Sequence, residues 1–181
     1  MLPLINAQQS SINPYNSAET ADKAIDGLRS SGSCTAGNGE RWWSVKLHNA
    51  ATISTIQLYI NEYVFKNYLG KLKLETRLSG SGVWKTCVNE HTVTKPINPH
   101  VINCDKVTVA KELKITMSGG SYLCFEEVKV LGTKSSNGKS SISCVLQSRN
   151  NNLRKVSKGG RCSRLRDGFS RFWAIHDFQL S

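Results

Sequence analysis

The sequence predicts an all-β domain built as a two-sheet sandwich. Three observations carry that expectation: short apolar runs of period two, turn-forming clusters between them, and six cysteines in a chain of 181 residues. In extended chain, successive side chains point to opposite faces, so Ile56, Leu58 and Ile60, alternating with Gln57 and Tyr59, read as a half-buried strand. Leu72, Leu74 and Leu78 alternate in the same way with Lys73, Glu75 and Arg77. Leu113, Ile115 and Met117 alternate with Lys114 and Thr116, and Val128 and Val130 flank Lys129. Ser79-Gly-Ser-Gly82, Pro96-Ile-Asn-Pro99 and Ser118-Gly-Gly-Ser121 punctuate these runs as turns. No amphipathic helix of comparable length appears; one short helical turn is expected around Ala18 to Ala24, and there is no internal repeat. Trp42 and Trp43 are neighbours in a strand and are expected to split between core and rim.

Composition narrows the setting. An even number of cysteines at this density points to an oxidising compartment and a secreted, extracellular protein. The length suits one domain of roughly 130 to 150 residues, large enough to bury a core, plus an extension. No apolar run approaches the roughly 20 residues that cross a bilayer, so no transmembrane segment is read. The opening Met1-Leu-Pro-Leu-Ile5 is too short for a signal peptide and reads as the start of a mature sequence. No Asn-x-Ser/Thr acceptor occurs. Charge divides the chain: residues 1–133 hold fourteen Lys/Arg against eleven Asp/Glu, whereas residues 134–181 hold ten against two. The overall +11 is therefore +3 in the first part and +8 in the tail. Lys134-Ser-Ser-Asn-Gly-Lys-Ser-Ser141 has the composition of a connector, which puts the expected boundary near Thr133.

One order of short motifs is more specific than any of its pieces: Gln9-Ser-Ser11, Ala24-Ile-Asp-Gly27, Ser33-Cys-Thr35, Trp42-Trp-Ser-Val-Lys-Leu47, Tyr59-Ile-Asn61 and Tyr122-Leu-Cys-Phe-Glu-Glu-Val128. Over residues 7–132 this resembles the F-type lectins (fucolectins) of the discoidin and coagulation-factor C-type superfamily. The resemblance implies an eight-stranded, galactose-binding-domain-like jelly roll over 1–133, whose loops at one end bind sugar, followed by a disulfide-closed extension over 134–181. Six cysteines allow fifteen connectivities. The family pattern implies Cys34 with Cys124 and Cys87 with Cys104, leaving Cys144 and Cys162 to each other or, alternatively, to another chain.

The sugar site does not carry over with the fold. The family holds fucose with a histidine and two arginines; the corresponding places here are Ala36, Glu62 and the neighbourhood of Asn67 and Tyr68. Ordinary fucose binding is not expected. The loop Asn61 to Tyr68 presents aromatics instead, and Glu62, Tyr63, Phe65, Asn67 and Tyr68 are the candidate ligand-binding residues. The superfamily's calcium site would fall on Asp26, Ser33 and the region of Cys124, with Leu28 and Phe125 standing where an Asn and a Glu are expected and Glu126 or Glu127 as a substitute. Without calcium, Asp26 closes its turn and no cofactor is expected.

Catalytic chemistry finds no foothold. His48, His91, His100 and His176 are scattered without ligand spacing and read as surface or half-buried residues, and no nucleophile elbow, phosphate loop or zinc signature occurs. The tail carries the second signal. Arg149, Arg154, Lys155, Lys158, Arg161, Arg164, Arg166 and Arg171 crowd around Cys144 and Cys162 beside Phe169, Phe172 and Trp173. Such density attracts a polyanion, a heparin-like sulfated polysaccharide in an extracellular setting; a solvated tail or a processing site is the plainer alternative. The expectation is a non-enzymatic recognition protein. Its expected partner is a glycan or glycoprotein, and a protein partner or an anionic membrane surface is the alternative. No nucleic acid is expected.

Overall fold

The computed structural model describes residues 1–78, 80, 82–95 and 97–135, and the backbone of 144–149 and 152–157. The chain divides into two compact units, Met1–Asn137 and Gly138–Ser181. The first unit carries β1 (Leu4–Gln9), a 3₁₀ turn (Ala21–Ala24), β2 (Ser33–Cys34), β3 (Arg41–Tyr59), α1 (Glu62–Asn67), β4 (Lys71–Arg77), β5 (Lys85–Thr92), β6 (His100–Ser118), β7 (Cys124–Phe125) and β8 (Glu127–Lys134). The second carries an antiparallel hairpin, β9 (Cys144–Arg149) and β10 (Asn152–Ser157), with Cys144 opposite Ser157.

Two strands of 19 residues, β3 and β6, make the jelly roll. The first half of β3, Arg41 to Lys46, lies between β1 and the second half of β6, which continues to β4 and then β5. Its second half, Ala51 to Tyr59, lies between β8 and the first half of β6. The same two chains therefore serve a five-stranded face and a three-stranded face, and the core lies between them. β2 pairs with β7 at one end, which completes eight strands in this unit.

Period two explains the core. Trp43, Val45 and Leu47 of β3, Leu72 and Leu74 of β4, Leu113, Ile115 and Met117 of β6, and Val128 and Val130 of β8 are all buried. Ile53 and Ile56 are both fully buried although three residues apart, a spacing that unbroken alternation would send to opposite faces. A bulge resolves the conflict: Ile53 faces Gly132 and Thr55 faces Leu131, so Ser54 is the extra residue that resets the phase. At Gly132 itself, any Cβ would collide with the Thr52 carbonyl oxygen, so only glycine lets the strands approach there.

Trp43 is fully buried, donates from Nε1 to the Ala21 carbonyl at 3.0 Å, and meets Phe125 edge-on at 6.1 Å. Trp42 is half-buried on the other face, with the Lys114 ammonium 5.1 Å over its ring. The expected split of the tryptophans is realised. The 3₁₀ turn falls inside the segment expected to turn.

Two expectations need correction. Leu78 is not a core residue: it lies beyond the end of β4, 55% exposed, and the inward place after Leu74 is taken by Thr76, whose hydroxyl is bonded to that of Thr108 at 2.9 Å. The segment Asn61 to Tyr68 is not an open loop but contains α1, because the Asn61 carboxamide accepts from the Val64 N–H at 2.8 Å and caps the first turn. The pairs Cys34–Cys124 and Cys87–Cys104 are both formed. Cys144 starts β9, whereas Cys162 and the proposed bridge between them lie outside the described residues.

The core assignment has a direct test. Trp43→Ala removes the largest buried ring and leaves the Ala21 carbonyl without its donor, and should lower unfolding stability by about 3–5 kcal/mol. Trp42→Ala should cost about 1 kcal/mol. Urea denaturation of both variants checks the contrast; equal losses would contradict the assignment of the two faces.

Candidate functional site

At the β2–β7 end of the sandwich lies a cleft of about 480 Å³. Its base is the covalent tie Cys34–Cys124, with Ser33 opposite Phe125 and Cys34 opposite Cys124 in the short two-stranded pairing. A second tie is polar. The Gln9 amide donates to the carbonyl oxygens of Ser11, Glu19 and Cys34 at 2.6, 3.1 and 3.1 Å, and its Oε1 accepts from the Ser33 hydroxyl at 2.6 Å. One side chain thus fastens the loop after β1 to β2.

That loop forms one wall. Glu19 is gripped by two carboxamides, Asn13 at 2.7 Å and Asn16 at 3.1 Å, whose own oxygens accept from the backbone N–H groups of Tyr15 and Ala18. A second wall comes from Arg29 to Ser33 and from Glu126. Arg29 pairs with Glu126 at 3.3 Å and lies 4.9 Å over the Tyr59 ring, where Lys129 also stands at 4.9 Å.

The third wall is α1 and its flanks. Val64 is buried and anchors the helix, Glu62 and Lys66 pair across one turn at 2.6 Å, and the Asn67 amide donates to the Tyr63 carbonyl at 2.8 Å. Tyr63 and Tyr68 line the cleft and meet edge to face at 5.3 Å; Tyr122 packs against Tyr68 in a tilted contact at 4.8 Å. The Tyr68 hydroxyl donates to that of Tyr63 at 3.3 Å, and this bond, with some desolvation and the neighbouring Tyr63 and Tyr122 charges, pushes the Tyr68 phenol up to about 12. Behind the ring the chain reverses at Gly119 and Gly120, both at positive φ, and a Cβ on Gly120 would collide with the Tyr68 carbonyl oxygen.

Of the expected ligand-binding residues, the structure brings Tyr63 and Tyr68 to the cleft. Glu62 points to its ion pair with Lys66, Asn67 is spent on its own helix, and Phe65 packs against the core. Ala36 is likewise not among the lining residues. Asn13, Asn16, Glu19 and Arg29 were not anticipated, and Glu126 was expected only as a substitute calcium ligand. The polar run Asn13, Asn16, Glu19 was a readable signal, being three donors or acceptors spaced in one turn-rich loop. Arg29 and Glu126 are 97 residues apart, and the Cys34–Cys124 pairing and the Gly27–Glu127 bond bring their loops together.

The residues expected around calcium are otherwise engaged. The Asp26 carboxylate accepts from the Leu28 N–H at 2.9 Å and from the Ser31 hydroxyl, with Lys23 at 3.6 Å, and these donors hold its carboxyl below the usual value. Ser33 is buried and turned to Gln9, and the Cys124 sulfur is in its bridge. Glu127 accepts from the Gly27 N–H, and burial pushes its carboxyl up. As they stand these groups do not fit a calcium ion, and among the described residues no three His, Cys, Asp or Glu side chains gather as metal ligands. In the tail, Arg149 closes β9 and Arg154 and Lys155 lie on β10, opposite Gln147 and Leu146. Lys158, Arg161, Arg164, Arg166 and Arg171 lie outside the described residues.

Solved structures with this fold include the F5/8 type C domain of a Bacteroides fragilis protein, at 20% identity and TM-score 0.62, covering 74% of this chain and 98% of that one. The family 32 carbohydrate-binding module of Clostridium perfringens NanJ, solved in complex with galactose, matches at 23% identity and TM-score 0.56, over 72% of this chain and 98% of that one. A fucolectin from striped bass (Morone saxatilis) serum matches at 20% identity and TM-score 0.59, over 74% of this chain and 48% of that one. No curated protein matches the sequence. The family model described as NedA-like, galactose-binding domain matches residues 23–115. That match spans just over half of the 181 residues and includes Asp26, the tryptophan pair and α1, and on it the chain belongs to the NedA-like, galactose-binding domain family.

Proposed function

We propose that the chain is a secreted, non-enzymatic recognition protein that binds a glycan of galactose type in the cleft beside α1. The observation that carries the reading is the pairing of Tyr63 and Tyr68 with a polar wall across one cleft. A sugar ring has an apolar C–H face and a rim of hydroxyls; the tyrosines suit the first, and Asn16, Arg29 and Glu126 offer donors and acceptors for the second. The C. perfringens neighbour seen with galactose supports this choice of sugar. Secretion is supported by the two formed disulfides. Calcium has no part in the reading, since Asp26 holds its own turn.

The basic tail adds a second contact. Its net charge of +8 over residues 134–181 favours a sulfated polysaccharide attached to, or lying beside, the recognised glycan. No observation favours a protein partner or a membrane surface above these.

Isothermal titration of the full chain with galactose should give saturable binding, and fucose should give none detectable at millimolar concentration, a limit of about −4 kcal/mol. Tyr63→Ala or Tyr68→Ala should weaken galactose at least about tenfold, and unchanged affinity in both would reject the cleft. Excess chelator should leave the isotherm as it is. Tyr63→Phe keeps the ring but removes the acceptor, so it should retain galactose while the Tyr68 phenol falls from about 12 toward its ordinary value of 10.0. Ultraviolet titration at alkaline pH reads that shift. For the tail, retention on heparin should fall steeply with salt, because exposed charges are screened beyond about 10 Å at 0.1 M. Reversing Arg154, Lys155, Arg161 and Arg164 together should remove most of that retention, whereas reversing Lys71 and Lys73 should do little.

A further inference from the structure

The two histidines that sequence spacing left scattered meet in space. His91, near the end of β5, and His100, the first residue of β6, face each other with their Nε2 atoms 2.7 Å apart. The ring centroids are 5.0 Å apart, so the separation is used up by the hydrogen bond and one ring radius on either side. The imidazoles therefore meet end-on. The two Nε2 atoms point at each other rather than at a shared third point, an N–H on one ring facing the lone pair of the other, which makes the pair a hydrogen bond and not a bidentate metal site.

This bond closes the base of the loop 93–99. Near the end of that loop the Asn98 carboxamide grips Ile60 twice, accepting from its N–H and donating to its carbonyl, each at 2.8 Å. Ile60 and Asn61 line the cleft, and Asn61 caps the helix that carries Tyr63. A contiguous set of bonds thus runs from the histidines to the wall of the cleft.

We propose that His91 and His100 form a clasp that acid opens, and that the clasp sets how firmly the cleft wall is held. Its consequence for ligand release rests on the glycan reading above. The bond between the rings needs one lone pair. A neutral pair has it, and so does a pair sharing one extra proton, but two imidazolium rings place N–H against N–H with like charge and must part. Burial lowers the affinity of both rings for protons, and the charge of His91 lowers that of His100 further.

Glu90 on β5 and Lys71 on β4 bond to each other at 2.8 Å, the loop carries Lys95, and β3 sets Leu58 opposite His100. On β8, Val128 lies opposite Leu58, and Lys129 stands over the Tyr59 ring. For a base whose folded affinity for protons is depressed, the unfolded chain binds more protons as pH falls. The stabilisation is complete above the unfolded value of about 6.5 and is lost as pH falls through the lower folded values.

The test is nuclear magnetic resonance of the full chain from pH 7.5 to 4.5, with galactose as the binding probe. The His91 and His100 side-chain nitrogens should titrate together below their ordinary value, and the Asn98 side-chain amide and the Ile60 backbone amide should move on the same curve. In His91→Gln/His100→Gln, two amides can make the bond without titrating, and the Asn98 and Ile60 signals should stay flat. Galactose affinity should fall by about threefold or more across the same range in the parent, as expected if only a third of the molecules keep a competent cleft, and should not fall in the variant. Histidines that titrate independently, or that titrate while Asn98 and Ile60 stay still, would overturn the clasp, and the parent alone suffices for that measurement. Shared titration in a chain that binds galactose at no pH would uphold the clasp and reject the sugar reading.

Discussion

The bond between Cys34 and Cys124 is the constraint on which the functional end of this molecule depends. It joins positions 90 residues apart, and without it the two-residue strands β2 and β7 have little to hold them in register. A pairing so short cannot be stable on backbone hydrogen bonds alone. The covalent link removes chain entropy from the unfolded state, and Gln9 then extends its reach by drawing the loop after β1 onto Cys34 and Glu19. The wall formed by the loop after β1 and the wall formed by Arg29 to Ser33 and Glu126 both adjoin this small assembly. The helix is fastened separately, by Val64 in the core and by Asn98 behind Ile60, so the third wall of the cleft does not depend on the disulfide end.

The sandwich itself solves a different problem. β3 and β6 are long enough to belong to both faces, and they change partners midway, where their register shifts. The shift at Ser54 keeps Ile53 and Ile56 on the same side of the sheet. On β6, residues 104–107 leave the ladder between Asn103 and Thr108, and that excursion brings Cys104 to Cys87. Irregularity in the ladder is therefore what permits both a continuous core and the second disulfide.

The fold was legible in the sequence wherever a face is buried along a regular strand. Leu72 and Leu74, Leu113 to Met117, and Val128 with Val130 repeat at two residues because each faces the same core. Leu78 kept the same period by coincidence: the strand had ended, and Thr76 held the inward place through a partner on β6 that local pattern does not reveal. α1 escaped notice because six residues are too few for a 3.6-residue period to show; its one visible mark was Asn61 at the cap. The disulfide pairing was readable through family resemblance and not from spacing. The candidate site was half legible. Tyr63 and Tyr68 stood out as aromatics in a polar segment, but Arg29 and Glu126, 97 residues apart, become neighbours only once distant segments are placed, and His91 and His100, nine apart, only once the end of β5 is set beside the start of β6.

The Cys87–Cys104 bridge carries a consequence for how the domain behaves among its own kind. β5 is the outermost strand of its face, with β4 on one side and no strand partner among the described residues on the other. An outer strand with unpaired backbone groups is a template on which another chain can add. Cys87 lies on that strand and Cys104 on the first half of β6, which belongs to the three-stranded face, so the bridge pins the rim of one face to the other. Reducing agents would not merely loosen the domain. They would release a sticky border, so the bond that holds the rim also helps keep one molecule from being stitched to the next.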